Sequence, residues 1–196
     1  MTLRTRLIIA LLLMLPFAAQ AADASSERKR KNKAYAGGTI AMWDRYDLLS
    51  VAGVGGYDIT RWFAMEGHLG TSRSEDVNVG GVQAKAQVDV FFSVFTRFNL
   101  VYQRATWFAL LGGSYLNFGG DGRAVWQDAT TTSDSSNYVF SPSYGLGVEL
   151  FAGKKKRASM TFSWVRYLDT DKEGEADTFN IGFSYHFGGI PYTPRY

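Results

Sequence analysis

The chain has 196 residues, with 21 glycines, 14 phenylalanines, 11 tyrosines and no cysteine. The lack of cysteine excludes disulfide bonds and thiolate metal sites. A composition rich in glycine and aromatic residues favours β-strands over helices. The net charge of +3 and the pI near 9.1 are averages over basic and acidic segments that lie far apart along the chain, so they do not by themselves indicate a nucleic-acid partner.

The first 21 residues have the pattern of a secretory signal peptide. Arg4 and Arg6 precede an apolar run from Leu7 to Leu15, and Ala19-Gln20-Ala21 provides a cleavage site of small residues. A transmembrane anchor is the alternative, but the run is short for the ~30 Å of hydrocarbon in a bilayer. We therefore expect an exported protein, cleaved after Ala21, in which residues 22–33 form a basic periplasmic segment.

Eight later segments alternate between apolar and polar side chains, as strands with one apolar face do. Turn-forming or charged residues bound each of them. In the last segment Phe179, Ile181 and Phe183 alternate with Asn180 and Gly182. The eight segments are Ala34–Asp44, Leu49–Ile59, Trp62–Thr71, Val82–Arg97, Ala105–Phe118, Tyr138–Phe151, Ala158–Tyr167 and Thr178–Phe187.

The polar faces of these segments carry mainly Ser, Gly, Thr, Asn and Gln, whereas strands that face water usually carry Lys and Glu. A tilted strand of about ten residues crosses a bilayer, and closure leaves no unpaired edge in lipid. The sequence therefore predicts an all-β chain, an eight-stranded antiparallel up-and-down transmembrane β-barrel over residues 34–187, followed by a C-terminal extension over 188–196. A soluble lipocalin-like barrel, with its apolar face around a ligand, is the alternative.

The connections alternate between short basic turns and longer acidic loops. The short ones carry basic residues such as Arg61, Arg97 and Arg157, and the longer ones carry acids such as Glu75 and Asp171. Outer-membrane barrels have short periplasmic turns and longer external loops, so we expect both termini in the periplasm. No nucleic-acid partner is expected, because an exported chain meets little nucleic acid and no aromatic platform accompanies the basic runs.

Several motifs resemble a known family. Tyr35-Ala-Gly-Gly, the run from Gly55 to Gly67, and Tyr144-Gly-Leu-Gly-Val-Glu-Leu resemble strands of small eight-stranded outer-membrane proteins of the OmpA transmembrane-domain and OmpX-like type. The resemblance covers roughly residues 34–187. It implies a location in the outer membrane, insertion by the outer-membrane assembly machinery, and an interior filled by a polar and charged network. The family usually ends on the last strand's aromatic residue, whereas here residues 188–196 follow Phe187.

Strand parity and the resemblance predict two sets of site residues. Buried charges need partners, so we expect Glu66 or Glu149 to bond a Tyr, a Ser or His186, or to be neutral because of burial. The predicted interior polar network is Glu66, His68, Lys85, Asp89, Glu149 and His186. The predicted interfacial aromatic residues are Tyr57, Trp62, Trp107, Tyr167, Tyr185 and Phe187.

An eight-stranded barrel is just wide enough for its own side chains, so passage of large solutes is not expected. Ser184 and His186 share one strand face, but no third residue orients the histidine, and no catalytic residue, cofactor or metal is predicted. We expect a monomeric, non-enzymatic protein acting in envelope integrity or in surface interaction through its acidic loops, above all residues 119–137. The expected partners are outer-membrane lipid and lipopolysaccharide, bridged by divalent cations, and an unknown surface ligand. A lipid-modifying enzyme is the alternative.

Overall fold

The computed structural model describes residues 34–44, 48–79, 82–102, 105–119, 138–152, 157–170 and 174–187. The predicted signal peptide, the basic segment over 22–33, the C-terminal extension and all but the first residue of the 119–137 loop lie outside these ranges. None of the described residues forms a helix with the length and apolar character needed to cross a bilayer.

Eight antiparallel strands close into a barrel, and two more form a separate hairpin. Each barrel strand pairs with the next barrel strand along the chain, and the last barrel strand pairs with the first. The hairpin is inserted in the chain between the third and the fourth barrel strand. The predicted all-β, eight-stranded antiparallel barrel is therefore confirmed. The strands are β1 Ala34–Trp43, β2 Leu49–Asp58, β3 Phe63–Ser72, β4 Glu75–Val79, β5 Val82–Ala86, β6 Val88–Tyr102, β7 Ala105–Phe118, β8 Tyr138–Ala152, β9 Ala158–Thr170 and β10 Gly174–His186.

The fourth predicted segment differs from the structure. Its first part is β5, which pairs with β4 in a hairpin outside the barrel sheet, and only β6 belongs to the barrel. Asp89 is an extra residue in β6, because Val88 pairs with Phe118 while Val90 pairs with Asn117. Such a β-bulge shifts the alternation of faces. Val88 is therefore buried and Val90 exposed, although the sequence placed both on one face.

Large apolar side chains cover the outside of the barrel. On β10, Phe179, Ile181 and Phe183 are 58–59% exposed. Thr178, which precedes them, and Asn180, which lies between the first two, are buried. This is the reverse of a water-soluble barrel, whose apolar face would be inside, and it matches the lipid-facing band of a membrane barrel. The soluble lipocalin-like alternative is therefore wrong.

The two ends of the barrel differ. We call the short-turn end the one at which β2, β6 and β8 end and β1 begins, and we call the opposite end, at which β1 ends and β2 begins, the long-loop end. The interior near the long-loop end is apolar, with Trp43, Phe91, Phe118 and Val88 almost fully buried. The buried charged groups therefore lie nearer the short-turn end, whereas the buried polar side chains nearer the long-loop end, such as Ser50, Ser72 and Thr178, are uncharged.

Candidate functional site

A buried arginine lies at the centre of the polar part of the interior. Arg97 donates from Nη1 to Oε2 of Glu66 at 2.7 Å and from Nη2 to Oε2 of Glu149 at 2.6 Å. Its Nε donates to Oδ1 of Asn99 at 2.9 Å. Arg97 is only 4% exposed, and both carboxylates are as deeply buried. Ion pairs so far from water are stable only when both partners are well hydrogen-bonded, and here they are.

The strand register brings these three side chains together. Glu66 on β3 pairs with Phe95 on β6, so Arg97 lies two residues further along the same inner face. Glu149 comes from β8, one strand beyond β7. The ring of Phe108 on β7 lies under the guanidinium, 4.0 Å from it, which is a favourable cation–π contact.

Two histidines, a tyrosine and a serine complete the hydrogen bonds of the carboxylates. Glu66 accepts from the hydroxyl of Tyr35 at 2.6 Å and lies 2.9 Å from Nε2 of His68, whose Nδ1 is 2.8 Å from the hydroxyl of Tyr167. Glu149 accepts from Ser159 at 2.6 Å and lies 2.8 Å from Nε2 of His186. We call this set the Arg97 cluster; its members are Tyr35, Glu66, His68, Arg97, Glu149, Ser159, Tyr167 and His186.

A glycine allows Tyr35 to reach Glu66. A Cβ added to Gly56 would overlap the ring of Tyr35, so only a residue without a side chain leaves room for that ring. Tyr35 also stacks on His186, with ring centroids 5.0 Å apart. The cluster therefore connects six strands of the barrel, β1, β3, β6, β8, β9 and β10, through side-chain contacts across the interior.

Four of the six residues predicted for the interior network belong to this cluster, namely Glu66, His68, Glu149 and His186. Lys85 does not, because it lies on the β4–β5 hairpin with its side chain exposed. Asp89 does not either, because it is the bulge residue near the long-loop end, where it accepts from Gln87 at 2.7 Å. The placement of both residues corrects the prediction, which followed an unbroken alternation through residues 82–97.

Arg97 is the member of the cluster that the sequence analysis assigned to a basic turn. Its position had a usable signal, because Arg97 lies four residues after Ser93 on the same strand, and side chains at that spacing share one face. Predicted segment four ended at Arg97, whereas β6 continues to Tyr102. The arginine therefore lies inside the strand and points inward.

The predicted interfacial aromatic residues differ in their exposure. Tyr57, Trp107, Tyr185 and Phe187 are exposed on the outer surface. Trp62 is partly buried, with the guanidinium of Arg61 4.3 Å from its ring. Tyr167 differs from the prediction, because it is 1% exposed and packs inside the barrel. It is the extra residue of a second bulge, since Arg166 pairs with Asp177 and Leu168 pairs with Ala176.

The geometry at His186 does not form a catalytic triad. The same nitrogen, Nε2, faces both Glu149 at 2.8 Å and Ser159 at 3.4 Å. A triad histidine instead uses one nitrogen for the acid and the other for the nucleophile. Within the described strands, no three His, Asp or Glu side chains are grouped so that they could hold a metal ion.

A small cavity borders the cluster at the short-turn end. Its volume is about 20 Å³, enough for one water molecule. Tyr35, Asp58, Arg97, Glu149 and His186 are among the residues that line it. The cavity therefore has room for a water molecule beside the cluster but not for a larger solute.

Comparison with known proteins gives one family and several similar folds. A family model described as "Outer membrane protein beta-barrel domain" matches residues 9–187. The N-terminal barrel of OprF from Pseudomonas aeruginosa is 13% identical with a TM-score of 0.52, covering 81% of this chain and all of that one. The outer membrane protein Ail of Yersinia pestis in a nanodisc is 13% identical with a TM-score of 0.51, covering 80% of this chain and 100% of Ail.

OprG, another outer membrane protein of Pseudomonas aeruginosa, is 10% identical with a TM-score of 0.50, and it covers 84% of this chain and 100% of its own length. At such low sequence identity, the similarity to these three structures shows the fold alone. A search of curated proteins finds no match to the chain.

Proposed function

The chain belongs to the family of outer membrane protein β-barrel domains, and from that premise we propose that it is a closed, non-enzymatic barrel that acts through its loops. Its role is to maintain the envelope or to make contacts at the cell surface. The observation that carries this proposal is the filled interior, in which the Arg97 cluster and the apolar residues near the long-loop end occupy the lumen.

The filled interior argues against a porin-like role. Trp43 and Tyr167 pack against each other near the long-loop end, with ring centroids 5.5 Å apart, and both are fully buried. Tyr35 and His186 stack nearer the short-turn end. A solute crossing the barrel would have to displace both pairs and break the buried ion pairs of Arg97, which is energetically costly.

Two features support the absence of enzymatic activity. The two histidines are engaged with Glu66 and Glu149 inside the barrel, at 2.9 and 2.8 Å, rather than facing lipid. Ser184, the other residue of the candidate pair, is buried on the inner face. A lipid substrate outside the wall would reach neither group.

The acidic residues of the long-loop end support a surface role. Among the described residues of that end, Asp44, Asp76 and Asp177 carry carboxylates near loop connections, and Arg166 forms a two-point ion pair with Asp177 at 2.5 and 2.8 Å. Carboxylates are the ligands that Ca²⁺ and Mg²⁺ prefer. We propose that these loops contact lipopolysaccharide through such cations, and that residues 1–21 are removed on export.

Two measurements test the closed, non-enzymatic barrel. Planar bilayers containing the protein should show no steady conductance, and the mass spectrum of lipid A should be the same with and without its expression. A stable open channel would refute the closed barrel, and a modified lipid A would refute the non-enzymatic assignment.

A separate experiment tests the surface role. The variant Glu75→Gln/Asp76→Asn should weaken Mg²⁺-dependent binding to lipopolysaccharide, whereas Arg157→Gln at the opposite end should not. Equal binding by the acidic-loop variant and the parent would exclude the cation bridge. Intact-mass measurement of the protein extracted from outer membranes should give a chain that begins at Ala22.

A further inference from the structure

The outer surface of the barrel has a cation at the short-turn end, directly beside the apolar wall. Arg157 precedes β9 and its side chain is exposed. Its Nη1 donates to the hydroxyl of Tyr185 on β10 at 3.4 Å. Its backbone carbonyl accepts from the backbone N–H of His186 at 2.7 Å, so the neighbouring strand holds the backbone of Arg157 in place. The guanidinium therefore has a defined position at the edge of the membrane-facing surface.

Apolar side chains continue along the wall from this cation. Phe183 on β10 pairs with Met160 on β9, and the two are 58% and 49% exposed on the outside. Phe187 packs edge-on against Tyr185, with ring centroids 5.5 Å apart. Exposed aromatic residues at the end of a membrane barrel lie at the level of the lipid headgroups. Moving from the short-turn end towards the middle of the wall, a lipid would therefore meet first a cation, then a phenol hydroxyl, and then apolar side chains.

The outside of the short-turn end has basic residues without acidic ones. The three short connections at this end, residues 59–62, 103–104 and 153–157, contain six basic residues and no Asp or Glu. Three acids on strands near this end are buried inside the barrel: Asp58, Glu66 and Glu149. A partner that fits this surface therefore has a negative charge at the level of the headgroups and an apolar part that lies along the wall.

We propose that Arg157 and Tyr185 form a binding site for an anionic phospholipid in the periplasmic leaflet of the outer membrane. The headgroup phosphate pairs with the guanidinium of Arg157, as phosphates commonly do with arginine. The hydroxyl of Tyr185 accepts from Arg157 and donates its own proton to a phosphate oxygen. One acyl chain lies along Phe183 and Met160. A headgroup with a net negative charge is preferred to a zwitterionic one, because the cation of the latter would face the basic connections.

This site does not depend on the loop contacts proposed above. It lies at the opposite end of the barrel and requires only that the short connections face the periplasm, as they do in outer-membrane barrels. A phosphate held by Arg157 needs no bridging Mg²⁺, so the site leaves Mg²⁺-dependent binding of lipopolysaccharide at the long-loop end unchanged. Failure of either proposal therefore leaves the other standing.

Electron spin resonance of lipids labelled on one acyl chain tests the site. The protein extracted from outer membranes is placed in phosphatidylcholine vesicles that contain a small amount of spin-labelled phosphatidylglycerol or spin-labelled phosphatidylcholine. The motionally restricted fraction of each label measures its association with the protein surface. Phosphatidylglycerol should associate more strongly than phosphatidylcholine, and concentrated NaCl should weaken this preference because salt screens exposed charges. Equal association of the two lipids would refute the site.

Three substitutions locate the preference within the same experiment. Arg157→Gln should lower the relative association of phosphatidylglycerol about fivefold, the contribution of one basic residue near an anionic surface. Arg157→Lys keeps the charge and should retain most of the preference. Arg73→Gln is the matched control, because Arg73 is an exposed arginine at the long-loop end whose charge is already balanced by Glu75 at 3.6 Å.

The control meets the same lipids as the site, since both leaflets of these vesicles have one composition. Arg73→Gln should therefore leave the preference for phosphatidylglycerol unchanged. A full preference in Arg157→Gln, or an equal loss in Arg73→Gln, would overturn the assignment to Arg157.

Discussion

Arg97 donates to Glu149 at 2.6 Å across the inside of the barrel, although β7 separates their two strands. The same guanidinium holds Glu66 on the other side at 2.7 Å. One cation thus neutralises part of the charge of two buried carboxylates and links β8 to β3 and β6, with which β8 shares no backbone ladder. Removing it would leave both carboxylates without their strongest partner in an interior where isolated charge is very costly.

We predict that Arg97→Met lowers the free energy of unfolding by about 3–5 kcal/mol, the range for loss of one partner of a buried ion pair. Urea unfolding of the protein in lipid vesicles, followed by tryptophan fluorescence, measures the change. Because the loss comes from uncompensated carboxylates, adding Glu66→Gln and Glu149→Gln to Arg97→Met should recover part of it.

Arg73→Met is the matched control for Arg97→Met. Arg73 is an exposed cation that lies 3.6 Å from Glu75, and exposed pairs contribute at most about 1 kcal/mol. If Arg97→Met were as mild as Arg73→Met, the buried ion pairs would not be what stabilises the interior.

Neighbouring glycines on β2 provide a second test. A Cβ added to Gly56 would overlap the ring of Tyr35, whereas a Cβ added to Gly55 would meet no atom within 4 Å. Gly56→Ala should therefore destabilise the barrel by about 1–3 kcal/mol, the cost of overpacking. Gly55→Ala should be neutral or stabilise by up to about 1 kcal/mol, because alanine loses less conformational entropy. Equal effects of the two substitutions, measured by urea unfolding, would contradict the position of Tyr35.

The fold could be predicted from the sequence because alternation along most strands is unbroken. On β10 every second residue from Phe179 to Phe187 is large and apolar, and the structure places all of them outside. Alternation failed at Asp89, where a bulge adds one residue. Tyr167 was assigned to the interface although alternation from Ser159 through Val165 places it inside the barrel. A bulge has no reliable local signal in a single sequence, because it depends on the register of the neighbouring strand.

The cluster was predicted only in part for a related reason. The alternation of side chains along each strand was enough to place four residues on the inner face, because each lies in a regular part of its strand: Glu66, His68, Glu149 and His186. The contacts of Arg97 with Glu66 and Glu149 depend on how far β3 and β8 are shifted along the barrel relative to β6. That shift follows from closure of the whole sheet, which no single segment encodes.

Tyr167 allows a test of the packing inside the barrel. Its hydroxyl lies 2.8 Å from Nδ1 of His68, and its ring is surrounded by Trp43, Phe91 and Phe95. Tyr167→Phe should cost about 1–3 kcal/mol, because Nδ1 of His68 is left buried without this partner. Tyr185→Phe, on the outer surface where the hydroxyl accepts from Arg157 at 3.4 Å, should cost less than about 1 kcal/mol. The reverse order of the two losses in urea unfolding would place Tyr167 at the interface, as the sequence analysis assumed.

Because the apolar side chains of β10 are on the outside of the barrel, the cost of placing a charge there should depend on its depth in the membrane. Ile181 is in the middle of the apolar outer row of β10, and Phe187 is at its end. Arginine on the lipid face costs about 2–4 kcal/mol at the bilayer midplane and about 0–1 kcal/mol near the interfaces. Ile181→Arg should therefore lower the free energy of unfolding in vesicles markedly, whereas Phe187→Arg should change it little. Both variants place the same charge on the outer surface, Ile181 within β10 and Phe187 one residue after its end. A barrel whose outer face met water would tolerate the two substitutions equally, and that result would remove the basis for assigning this face to lipid.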